Sequence, residues 1–137
     1  MKRSILTLII VGIAALGFSY SAKAQSFHIT KMECIETEGY VMPDAIYFRY
    51  RINDGSSKRY PGSSDLSFVS GTERSDFLYV SGRRDDTIHI EVWDHDTFDP
   101  DDYIGSFEVR LDWPKENSVY LQQNGGTARY YIRYEVE

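Results

Sequence analysis

The chain has 137 residues, with 15 basic against 21 acidic side chains, a net charge of −6 and a single cysteine. That length suits one domain with one core behind a short leader, and the balance excludes the basic footprint of a nucleic-acid binder. One cysteine excludes an internal disulfide, so stability has to come from the core and, where acids crowd, from a cation.

At the start, Lys2 and Arg3 precede an apolar run over residues 5–16, and Ala22-Lys23-Ala24 supplies the small-x-small pattern of a cleaved export signal. The run falls short of the roughly 20 apolar residues that a membrane span needs. The expectation is a signal peptide at residues 1–24 and a domain at residues 25–137, secreted or periplasmic. Cleavage removes three bases and no acid, leaving 12 against 21 and a net charge of −9.

The following residues read as strands rather than helices. Short runs rich in Tyr, Phe, Val and Ile are separated by Gly, Pro, Asp and Ser clusters. Strands are predicted at residues 27–35, 45–52, 76–80, 87–93, 103–111 and 130–136. Within 45–52, Ile46, Phe48, Tyr50 and Ile52 fall on one face and Tyr47, Arg49 and Arg51 on the other. Asn53-Asp54-Gly55 marks a hairpin turn, residues 60–65 a loop, residues 83–86 a charged connection and Gly125-Gly126 a turn into the last strand. The predicted fold is an all-β antiparallel sandwich of about eight strands. Cys34 falls in the opening strand and is expected as a small buried hydrophobe.

The chemistry concentrates between residues 88 and 111. A period-two strand runs out at Asp94, and Asp94, Asp96, Asp99, Asp101 and Asp102 then crowd into nine residues before Ile104-Gly105 starts the next strand. Calcium takes six to eight oxygens, mostly carboxylate, from an adaptable loop. Asp94 and Asp96, two apart, can turn to one side, and Asp102 returns from the far end of the loop. An EF-hand is excluded: counted from Asp94, its required Gly falls on Asp99 and its required Glu on Gly105. Two like charges about 4 Å apart repel by roughly 4 kcal/mol at an effective dielectric near 20, so such a loop favours a bound cation. His28, His89 and His95 are scattered and complete no catalytic spacing, so no enzyme is expected.

The stretch VWDHDTFDPDDYIG, with Trp93 before the acids and Ile104-Gly105 after them, resembles the third calcium-binding loop of C2 domains. The resemblance implies an eight-stranded C2-type β-sandwich with calcium as cofactor. By it, Asp94, Asp96 and Asp102 are the principal ligands, Asp99 is an additional one, and His95 contributes a main-chain oxygen. Pro43-Asp44-Ala45-Ile46-Tyr47 stands where the family has the strand entry of its first calcium loop, which makes Asp44 a ligand and Glu38, six residues upstream, its partner. Residues 71–79 depart from the family's usual Asn-Pro-x-Trp-Asn-Glu stretch.

Many C2 domains dock on anionic phospholipid with apolar loop tips. Phe98 stands at one tip here and Tyr40, Val41 and Met42 at the other, so Met42 and Phe98 are the expected membrane or protein-partner contacts. Arg49, Arg51, Lys58 and Arg59 offer a basic face, as a headgroup site or as a guard against edge pairing. The alternative is a structural or carbohydrate-binding sandwich, with Tyr47 and Tyr131 as stacking platforms and the ion only bracing the loops.

Overall fold

The computed structural model describes residues 24–39 and 42–137. The predicted leader through residue 23, and Tyr40 and Val41, lie outside the described residues. In chain order the strands are β1 (Ala24–Glu36), β2 (Asp44–Ile52), β3 (Lys58–Tyr60), β4 (Leu66–Phe68), β5 (Glu73–Arg83), β6 (Thr87–Asp94), β7 (Asp102–Arg110), β8 (Lys115–Gln122) and β9 (Arg129–Val136). They form two antiparallel sheets. One has the order β5-β1-β9-β8, and the other has the order β3-β2-β6-β7 with β4 also paired to β2.

β4 pairs with residues 44–46 of β2, and β3 pairs with residues 48–50. The two short strands are therefore one edge strand interrupted by the loop at 61–65, which reconciles nine segments with an eight-stranded sandwich. Alternation decides which face turns inward. Phe27, Ile29 and Met32 of β1 meet Ile46 and Phe48 of β2, with Ile88, Ile90 and Val92 of β6 and Tyr130 and Ile132 of β9 filling the space between the sheets. Each fully buried side chain of this size contributes about 1.5–3 kcal/mol, so the core can hold the fold without a disulfide. Cys34 belongs to this core, and burial pushes its thiol up to about 11, which leaves it an inert hydrophobe.

The predicted strands are all present, several of them longer than expected. β3, β4 and β8 were not predicted, for a common reason. None offers a period to read: β3 and β4 have three residues each, and β8 (KENSVYLQ) buries only Leu121. Tyr47 corrects an expectation. It lies on the outward face of β2 as predicted, yet it is 1 % exposed. Arg59 covers its ring at 4.1 Å and Arg49 lies 5.7 Å from the ring centre, so it is no stacking platform.

Candidate metal centre

Three connections meet at one end of the sandwich: residues 37–39 and 42–43 between β1 and β2, 95–101 between β6 and β7, and 123–128 between β8 and β9. Strand pairing delivers the acids. Asp94 at the end of β6 is the direct cross-strand partner of Asp102 at the start of β7. Next to them the register skips Ile104, so Val92 faces Gly105 while Trp93 faces Tyr103. This bulge turns the chain at the loop's return, where such irregularities re-aim side chains. A side chain at position 105 would press on Leu121 at 3.1 Å, which suits the glycine there. On the other flank, Asp44 opens β2, and His95 N donates to Ala45 O at 2.9 Å, tying the two loops together.

The resulting cleft, about 530 Å³, is lined by Glu38, Asp44, Asp94, His95, Asp96, Asp99, Asp101 and Asp102 together with Gly39, Met42, Pro43 and Pro100. Every predicted ligand is on its wall. Among the described residues, no Lys or Arg lines it. Carboxylate oxygens of Glu38, Asp96 and Asp102 lie within 4.8 Å of one another, close enough to share one ion.

Below them sit two buried acids. Asp44 is 3 % exposed; it accepts from Tyr130 Oη at 2.5 Å and from Glu38 N at 3.1 Å. Asp94 is 6 % exposed and accepts from Ala45 N at 2.6 Å. Burial pushes Asp94 up to about 7, and the nearby charges of Asp44, Asp96 and Glu38 push the same way. Burial likewise raises Asp44, Asp96 and Glu38, with Asp102 adding to the last two. Like charges and lost hydration disfavour ionisation, and a divalent cation among these oxygens would reverse that preference. The donor set is all oxygen, as calcium requires.

Some of the residues that shape this end were not anticipated. Asp101, although on the wall, faces outward to accept from Tyr47 Oη at 2.6 Å and from Asp96 N at 3.4 Å, and His95 Nδ1 lies 3.4 Å away. The Tyr47 hydrogen bond is the first cause holding its carboxyl below the usual range. It is a brace for the loop. Gln123 is nearly buried and donates Nε2 to Glu38 Oε1 at 3.0 Å, while Thr127 Oγ1 donates to the carbonyls of Thr37 and Glu38 at 2.9 and 3.0 Å. A Cβ on Gly126 would stand 1.9 Å from Gln123 Oε1, so this glycine makes room for the Gln123 side chain. At the tips, Phe98 is 96 % exposed and Met42 73 %.

These features define a class: a two-sheet antiparallel sandwich with an acid-walled cleft between the loops at one end. The sequence model of the C2 domain family matches residues 73–126, which include the whole acidic loop. Solved structures share the fold. A single C2 domain (domain A) of a plant extended synaptotagmin 1 is 12% identical, covers 84% of this chain and 92% of its own, and superposes with a TM-score of 0.56. The paired C2 domains, A and B, of extended synaptotagmin 2, solved with calcium bound, give 15% identity, 84% of this chain, 45% of theirs and a TM-score of 0.51. Human GIVD cytosolic phospholipase A2 gives 9%, 82%, 16% and 0.51, so this chain spans only a small part of that protein. No curated protein matches in sequence. The family match and the shared fold together support the C2 assignment, and the fold is a C2-type β-sandwich.

Proposed function

We propose that this domain is a non-catalytic, exported calcium-binding module that docks on an anionic phospholipid surface when calcium fills the acidic cleft. The observation that carries the reading is the convergence of Glu38, Asp44, Asp94, Asp96, Asp99 and Asp102 on one cleft that, among the described residues, no Lys or Arg lines. Glu38, Asp96 and Asp102 would hold the ion at the mouth, with Asp44 and Asp94 beneath. Bound calcium would supply positive charge where the empty cleft is negative, giving phosphate headgroups an attractive site. The exposure of Met42 and Phe98 supports their entering the apolar layer. Export is supported by the leader pattern at residues 1–24.

Co-sedimentation with phosphatidylserine vesicles tests the reading. Binding is expected with calcium and not with chelator, and Phe98→Ser, which removes the apolar tip without adding charge, should weaken it while leaving calcium affinity unchanged. Indifference to the vesicles at saturating calcium would remove the membrane step and leave a calcium-braced binding sandwich.

A further inference from the structure

The far end of the sandwich holds a second cluster with different chemistry. His28 of β1 and Glu135 of β9 are direct cross-strand partners. One step further along the same pair, Ser26 and Glu137 exchange backbone hydrogen bonds of 3.1 and 2.8 Å. Paired residues, and residues two apart on a strand, share a face, so one imidazole and two carboxylates are delivered to one patch. A ring nitrogen of His28 and carboxylate oxygens of Glu135 and Glu137 lie within 4.8 Å of one another.

The imidazole itself points to a ligand. His28 is 8 % exposed, and its ring is fixed by stacking on Tyr79 at 4.8 Å and 8°. Its Nδ1 is buried and has no hydrogen-bond partner among the described residues. Its Nε2 faces Glu135 Oε2 at 3.8 Å, beyond hydrogen-bond reach. Stacking thus holds the ring with Nε2 turned toward Glu135 but beyond hydrogen-bond reach of it, where a shared ion could join the two. A tetrahedral zinc ion with ligands at about 2.0–2.1 Å separates neighbouring ligand atoms by about 3.3 Å, so closing movements of the two glutamate side chains by no more than about 1.5 Å would suffice. Charge points the same way. Glu116 is the cross-strand partner of Glu135, and among the described residues no Lys or Arg pairs with Glu116, Glu135 or Glu137. Lys115 is engaged by Asp112, and the Arg133 guanidinium lies 5.6 Å over Tyr131.

We propose that His28, Glu135 and Glu137 form a binding site for a zinc-class transition-metal ion, separate from the acidic cleft. One nitrogen and two carboxylates suit zinc and leave a fourth position for water, whereas calcium prefers a shell made wholly of oxygen. The ion would clamp the first strand to the last at the end of the molecule remote from the calcium loops.

The test is a calorimetric titration of the protein with zinc chloride at saturating calcium, which keeps the acidic cleft occupied. One saturable zinc event is expected. It should disappear in His28→Asn and weaken at least about tenfold in Glu137→Gln, since loss of a ligand costs no less than loss of a supporting contact. Cobalt(II) in place of zinc should give a visible absorption band that His28→Asn removes. Glu137 is exposed, so its variant decides the matter if His28→Asn does not fold. Absence of saturable zinc binding, or affinity unchanged in a folded variant, would overturn the site.

Discussion

Asp94 ends β6, Asp86 stands just before its other end, and the two carboxylates meet opposite surroundings. Asp86 accepts from Arg83 N and from Asn53 Nδ2, both at 2.8 Å, and the Arg83 backbone bond is the first cause holding its carboxyl low. Its neighbours are paired too: Asp85 meets Arg110 at 3.1 Å, and Asp112 meets Lys115 at 2.7 Å, a contact that lowers the Asp112 carboxyl to about 2. At the other end Asp94 has one backbone donor, and otherwise burial and other acids, and rises to about 7. The same residue type stabilises the fold at one end and strains it at the other. Acids already satisfied by donors are structural; acids gathered without a counter-charge are what a ligand has to complete.

The widest separation between the two ends should be seen in pH. The folded value of Asp94 lies above its ordinary one, so the folded chain keeps a proton that the unfolded chain releases between about pH 4 and 7. The ion-free protein should therefore lose stability as pH rises through that window, by on the order of 4 kcal/mol from this group, with Asp44, Asp96 and Glu38 adding in the same direction. Asp86 and Asp112, both lowered, act oppositely and only in acid, where their stabilisation fades as pH falls below about 4. Denaturant melts in chelator from pH 4 to 8 check the sign; stability rising across that range would contradict the description of the cleft.

Substitution should split the ends by sign. Asp94→Asn keeps an acceptor for Ala45 N and removes the charge, so the ion-free protein should gain roughly 2–4 kcal/mol at pH 8 and lose its response to calcium. Asp86→Ala strips two good hydrogen bonds and should cost about 1–2 kcal/mol with the calcium response intact. Both are read from denaturant midpoints with and without calcium. The smallest effect concerns the brace: Tyr47→Phe removes the hydrogen bond to Asp101 and should cost about 1 kcal/mol while weakening calcium binding modestly, as read from the same pair of curves.

The principal ligands were legible because they are local. Asp94, Asp96 and Asp102 share one strand-loop-strand frame, and their spacing alone places them together. Asp44 and Glu38 reach the same cleft through β2 pairing with β6, a long-range fact that only the resemblance to C2 loops anticipated. Gln123, Thr127 and Tyr130 could not have been foreseen in this role, because their polar groups act on Glu38, Thr37 and Asp44 some 85 to 90 positions away in the chain. Tyr47 was misjudged because period-two alternation reports which face a side chain takes, not whether two arginines cover it there. β8 escaped notice for the complementary reason, since an edge strand needs hydrogen bonds from one neighbour and no apolar face.

Calorimetric titration of the protein with calcium tests the central claim most directly. Saturable binding is expected at about 0.1–1 mM, with a melting temperature that rises through that range and returns with chelator. Absence of heat and of any shift in melting at millimolar calcium would contradict the assignment of the acidic cleft as a calcium site.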